Sequence, residues 1–137
     1  MAGQRSRRAG GVNGCAPGTG IAIGKVAVEL SLSVLVLGWM VAVLVRLATG
    51  SATVAIVTAS GIVAPLATGV SSSHLSLLVL AIGAGSLIFS HVNDAGFWLV
   101  KEYFGMTVGQ TIKTWSIMET IIAVVGLILT WSLWQVF

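Results

Sequence analysis

The sequence predicts an all-α integral membrane protein made of a re-entrant helical hairpin, a discontinuous transmembrane helix and a final transmembrane helix. Three observations carry this expectation. The chain of 137 residues is 56% hydrophobic and 8% charged, with mean hydropathy +1.02, where a soluble domain holds about 25% charged residues. Its apolar runs alternate too poorly for membrane strands of about 9 to 11 residues and are long enough for helices of about 20. Between Arg46 and Asp94 no Asp, Glu, Lys or Arg occurs, and that uncharged run closes on a polar knot, Ser90-His91-Val92-Asn93-Asp94.

Residues 1–18, rich in Gly and Arg, read as a flexible leader unlike the rest. They lack the apolar core and small-residue cleavage site of a secretory signal. The formal net charge is +3, but three of the seven basic residues are Arg5, Arg7 and Arg8, so the excess describes a tail and implies no nucleic-acid partner. The single Cys15 forms no internal disulfide and supports no cysteine metal site.

The membrane segment occupies 19–137, and its hairpin about 26–67. A first helix runs from about Val26 to Leu47, with Glu29 near its start and Arg46 at its close. In Thr49-Gly50-Ser51-Ala52-Thr53, Gly50 frees the backbone and Ser51 or Thr53 caps the next helix. That second helix reaches about Ala67, with Gly61 and Pro65 inside, and at about 15 residues is short for a full crossing. Two arrangements satisfy this pattern. In one, both helices cross and the Gly50 patch is an exterior turn. In the other, the pair is re-entrant, its tip stops near the midplane against protein or a wet cavity, and Arg46 sits deep. The shortness and apolarity of the Gly50–Ser51 connection favour the second.

Thr68 to Ser76 reads as a surface loop in which His74 is a solvated residue without a function. A third apolar helix, the broken helix of about 77–101, starts at Leu77. From there to Ser90 a helix covers about 21 Å, less than the hydrocarbon core of about 30 Å, so the polar knot falls inside the bilayer. Gly96 permits a break, and Phe97-Trp98-Leu99-Val100 resumes an apolar helix that ends at Lys101-Glu102-Tyr103. An ionisable cluster at that depth reads as a transport or relay site, and broken helices aim freed backbone groups at substrate or coupling ion. The plainer alternative is a helix that ends at the water interface.

A short polar connection leads to the last helix, about 111–136, which carries Glu119 one to two turns in and Trp115, Trp131 and Trp134 toward its two ends. Lys101 and Lys113 mark the connection as cytoplasmic, which leaves the C-terminus outside and puts the leader arginines on the side the charge rule disfavours.

Four ordered motifs then give a resemblance: Arg46-Leu47-Ala48-Thr49-Gly50-Ser51-Ala52-Thr53-Val54-Ala55, Ser90-His91-Val92-Asn93-Asp94-Ala95-Gly96-Phe97-Trp98, Lys101-Glu102-Tyr103-Phe104, and Lys113-Thr114-Trp115-Ser116-Ile117-Met118-Glu119-Thr120. Together they closely resemble the C-terminal part of the gluconate permease family, from about Thr19 to the end. The resemblance implies a multi-pass inner (plasma) membrane symporter for gluconate or a related sugar acid, with the proton as coupling ion and no cofactor. It also implies an inverted-repeat transporter of which this chain holds the end of the second repeat. The expected partners are the sugar acid, the lipid bilayer, and either further copies of the chain or a missing N-terminal repeat.

Carried onto this sequence, Gly50, Ser51 and Thr53 form the hairpin tip and Ser90 to Gly96 the broken helix facing it. A sugar acid needs positive potential for its carboxylate and small hydrogen-bonding groups for its hydroxyls. Ser51 and Thr53 with nearby N–H groups are therefore expected on the carboxylate, Ser90 and Asn93 on the hydroxyls, and Arg46 on substrate or on Asp94. The expected proton-coupling groups are Asp94 foremost, then His91 and Glu119, with His91 and Asp94 three residues apart on one helix face. Two other classes stay open: a small structural or regulatory membrane subunit, or an inactive transporter fragment. An enzyme is not expected, because the knot has no nucleophile paired with a base and no metal-ligand cluster around His91.

Overall fold

The computed structural model describes residues 33–137. The expected leader, Cys15 and Glu29, and the expected hairpin start near Val26, lie outside them.

Among the described residues the fold is helical throughout. Helix α1, Val34–Thr49, is capped by the Ser33 side chain and ends at Gly50 in the left-handed conformation (φ 75°). Ser51 is the N-cap of α2, Ala52–Val63, its hydroxyl accepting from the Val54 N–H. The connection between the helices is thus two residues long, one for each cap, which folds α2 back along α1. Pro65 then tightens the chain into a 3₁₀ turn, Ala64–Ala67.

The next helix begins earlier than the sequence suggests. Helix α3 spans Ser72–Gly85, because the Ser71 hydroxyl accepts from the His74 N–H as an N-cap. The serine run is therefore a helix start, and most of the expected loop from Thr68 to Ser76 is helix. His74 is correspondingly not a solvated loop residue: its ring meets Trp134 edge-on, centroids 4.3 Å apart.

The break runs from Ser86 to Asp94. It contains Phe89 at φ 38°, the one non-glycine among the described residues with positive φ. Helix α4, Ala95–Tyr103, starts on the Asp94 cap. A capping box of Thr107 and Gln110 then opens α5, Val108–Thr111, which continues through a π-helical turn, Ile112–Ser116, into α6, Ile117–Val136. The last helix thus begins at Val108, three residues before the expected Thr111. Its 29 residues are long and apolar enough to cross a membrane.

Small residues set the packing. Ala42 of α1, Ala59 and Val63 of α2, and Leu78 and Ile82 of α3 form one buried cluster, and Leu35, Leu77 and Ala81 a second, both reaching Trp134. Gly38 sits under Leu78 and Ile82, Gly85 against the Trp39 backbone, and Gly126 against Ala84, each too close for a Cβ without movement. These contacts run α3 parallel to α1 and α6 antiparallel to both. Trp39 ties α1 to α6, its indole N–H donating to the Ala123 carbonyl at 3.2 Å. The outer face of α6 is apolar, with Ile121, Ile122, Val125, Ile128 and Leu129 exposed.

Candidate functional site

The helix ends converge on Arg46. Its position in the last turn of α1 turns the side chain inward, where it is 1% exposed and among the largest fully buried side chains. An arginine there must spend its five N–H donors on acceptors. Nη1 donates to the Gly50 carbonyl at 2.7 Å, and Nη2 to Asp94 Oδ2 at 2.7 Å. Nε points at the Ile88 carbonyl at 3.4 Å, and Glu119 Oε2 stands 3.5 Å from Nη2. One guanidinium thereby joins the hairpin tip, the chain break and the last helix.

Asp94 is held on both oxygens. Oδ1 accepts the Gly96 N–H at 3.0 Å as the N-cap of α4, and Oδ2 accepts the Ser90 hydroxyl besides Arg46. Ser90 is fully buried, and its carbonyl accepts the hydroxyl of buried Ser116. Glu119 is 8% exposed, and its Oε2 has no hydrogen-bond partner. The site therefore packs one cation against two carboxylates of very different satisfaction.

The remaining expected residues fall around this core. Gly50 is buried against Asn93. Asn93 is exposed and donates from Nδ2 to the Thr49 carbonyl at 3.0 Å, latching the tip to the break. Ser51 is half-buried and occupied as a cap, while Thr53 is exposed in the first turn of α2. His91 is not on a helix face with Asp94: the two close a turn, Asp94 N–H to His91 carbonyl at 2.9 Å, ahead of α4. The His91 ring stacks on Phe89 at 6.4 Å, and its buried Nδ1 has no partner.

Two participants escaped the sequence reading. Ser116 reaches the break because the π turn rotates it there, and Thr120 accepts the N–H of the left-handed Phe89 at 3.3 Å. The available signal was two hydroxyls flanking Glu119 in an otherwise apolar run. Among the described residues no group of three His, Cys, Asp or Glu side chains gathers as metal ligands.

The level of the site is informative. Along the helix from Val108 to Val136, Glu119 lies about 16 Å from the first residue and about 26 Å from the last, at 1.5 Å per residue. The tip at Gly50 and the break at Asp94 meet α6 at that height through Arg46. Helices apolar on their outer faces, enclosing a charge cluster partway along the longest of them, are the arrangement that an integral membrane protein requires.

The family profile described as GntP family permease matches residues 9–137. A gluconate permease of Pseudomonas aeruginosa is 58% identical over 113 residues, covering 82% of this chain and 25% of its own length. A high-affinity gluconate transporter of Escherichia coli is 58% identical over 102 residues, 73% of this chain and 23% of its own. The Gnt-II system L-idonate transporter of the same organism is 50% identical over 111 residues, 81% of this chain and 25% of its own. No solved structure matches the chain. The chain belongs to the GntP permease family, and it spans about a quarter of the length of these relatives.

Proposed function

We propose that this chain forms part of a proton-coupled symporter for gluconate or a related sugar acid, seated as a multi-pass segment in the inner membrane. The observation that carries the proposal is the buried Arg46, which fastens the α1–α2 tip to the chain break at the height of Glu119. A tip at that height supports the re-entrant hairpin over the exterior turn. Helices α1 and α3, of 16 and 14 residues, are about 24 and 21 Å long, short of a bilayer core of about 30 Å. Non-helical backbone at that depth is tolerated only against protein or a wet cavity, and transporters built from inverted repeats use it for binding.

In this reading Arg46 braces the site, its donors being committed to Asp94 and to the Gly50 and Ile88 carbonyls. The substrate carboxylate meets the N-terminal turn of α2, at Gly50, Ser51 and Thr53, and its hydroxyls meet Asn93 and Ser90. Asp94, His91 and Glu119 are the groups available for the coupling proton, and no cofactor takes part. The partner is a first repeat or a second copy of the chain. The relatives' names, gluconate permease and L-idonate transporter, support a sugar acid as substrate.

The test is labelled-gluconate uptake by cells without permeases of their own. They express either this chain alone or the Pseudomonas relative with its matching segment replaced by this one. Uptake by the replacement protein that disappears in Asp94→Asn supports the reading. Correct insertion with wild-type uptake in Asp94→Asn and in Thr53→Val would sink it. Uptake by the chain alone would show that copies of it assemble a whole site.

A further inference from the structure

The two carboxylates beside Arg46 are not equivalent, and we infer that Glu119 is the group that takes up and releases the proton while Asp94 stays ionised as the permanent partner of Arg46. The inference rests on the symport reading for its purpose, though its geometry stands apart from any substrate.

Asp94 has three donors on two oxygens: the Arg46 guanidinium, the Ser90 hydroxyl and the Gly96 N–H. Each bond requires an acceptor, and the last also caps α4. A proton on Asp94 would break the shortest ion pair in the site and weaken a helix start. Glu119 caps no helix, and besides Arg46 it has beside it Ser90, whose hydroxyl is already bonded to Asp94. Its Oε2 is buried without a hydrogen-bond partner, and the 3.5 Å to Arg46 exceeds the 2.7–2.9 Å of a charge-assisted bond.

Charge counting points the same way. One guanidinium between two ionised carboxylates leaves a buried excess of one negative charge, and one proton makes the cluster neutral. A buried charge without full pairing is strongly disfavoured, so the proton goes to the carboxylate that loses least by taking it. The titratable and charged groups facing Glu119 are few. Arg46 faces it from α1 and Asp94 from the head of α4. The break adds His91, whose own Nδ1 lacks a partner. On α3 the titratable residue is His74, at the far end against Trp134, and on the π turn it is Lys113, which is exposed.

The consequence for coupling follows from sign. With Glu119 ionised, the cluster is negative and repels a carboxylate arriving at the hairpin tip. A proton from the medium on the Glu119 carboxyl removes that repulsion, and the bound anion in turn holds the proton. By linkage the effect is equal in both directions, on the order of 5- to 150-fold in affinity.

The experiment is infrared titration of the full chain reconstituted in lipid vesicles. The chain holds four Asp and Glu residues, so a Glu29→Gln, Glu102→Gln background leaves Asp94 and Glu119 as the side-chain carboxyls. On raising pH, a buried acid band should convert to carboxylate. The band should vanish in Glu119→Gln and shift in frequency in Glu119→Asp, while Asp94→Glu leaves it in place; in Asp94→Asn, where Glu119 is left as the counter-ion of Arg46, it should move to lower pH. A band that survives Glu119→Gln, a band whose frequency follows Asp94→Glu and not Glu119→Asp, or no acid band in the parent chain overturns the inference. Labelled-gluconate exchange is the separate readout, made on the replacement protein described above. Glu119→Gln should keep exchange but lose accumulation driven by a proton gradient, and gradient-driven accumulation in Glu119→Gln also overturns the inference. If the band follows Glu119 and no protein moves gluconate, the symport reading fails and the protonation site stands.

Discussion

Gly50 and Asn93 lie so close that a Cβ on Gly50 would come within 2.7 Å of the Asn93 Cβ and 2.8 Å of its carbonyl oxygen. Gly50 also holds φ 75°, which any other residue adopts at a cost of about 1–2 kcal/mol. Gly50→Ala therefore meets backbone on one side and strain on the other. We expect it to part the tip from the break and destabilise the fold by at least about 2 kcal/mol. Unfolding by SDS titration in mixed micelles measures this, and a variant as stable as the parent would mean that tip and break do not touch.

Arg46→Lys tests whether the guanidinium fork matters or only its charge. An ammonium can pair with Asp94 but cannot also span the Gly50 and Ile88 carbonyls. Arg46→Lys should lose about 1–3 kcal/mol, and Arg46→Met about 3 kcal/mol, because half-buried Asp94 and buried Glu119 are then left without a cation. In a double-mutant cycle, Arg46→Met with Asp94→Asn should cost clearly less than the two single changes added together. Additive losses would show that the pair is not coupled.

Ser116→Ala removes the hydroxyl that satisfies the buried Ser90 carbonyl. The expected cost is about 1–3 kcal/mol, the penalty for an orphaned buried acceptor. Thr120→Val, which removes the acceptor of the more exposed Phe89 N–H, should cost less. Thermal unfolding monitored by tryptophan fluorescence would rank the two, and the reverse order would mean that Phe89 and not Ser90 anchors the break.

How much of this was legible in the sequence depends on the range of the interaction. Turn chemistry is local, so Gly50, Ser51 and Gly96 announce the tip and the resumption after the break from their own stretches. The charges Arg46 and Asp94 bound an uncharged run, so each lacks another partner between them, and their pairing is the obvious solution. The serines at 71–73 misled because the same residues that favour loops also cap helices. The decisive cue, the Ser71 hydroxyl facing the His74 N–H, exists only once the helix has formed. Ser116 was illegible for a different reason. A π turn inside an apolar helix has no composition of its own, and without it the phase of α6 cannot be counted from either end. The inequality between Asp94 and Glu119 likewise depends on which donors the fold delivers, and no spacing encodes that.

Gly83 and Gly85 stand two residues apart in α3 and should respond oppositely to alanine. A Cβ on Gly83 meets nothing within 4 Å, whereas one on Gly85 comes within 2.6 Å of the Trp39 carbonyl oxygen and 3.1 Å of the Ala42 Cβ. Gly83→Ala gains helix propensity without new contact and should stabilise by about 0.5–1 kcal/mol. Gly85→Ala must push α1 away, which also strains the Trp39 bond to Ala123 in α6, and should destabilise by about 1–3 kcal/mol. Small residues at membrane helix contacts matter because backbones then approach closely, with no hydrophobic force between helices to replace the lost packing. The opposite signs, read from SDS unfolding midpoints of the two variants, would establish close α1–α3 contact as the source of the effect. Stabilisation in both variants would mean that α1 and α3 stand further apart than described, and that Arg46 reaches Asp94 across a looser site.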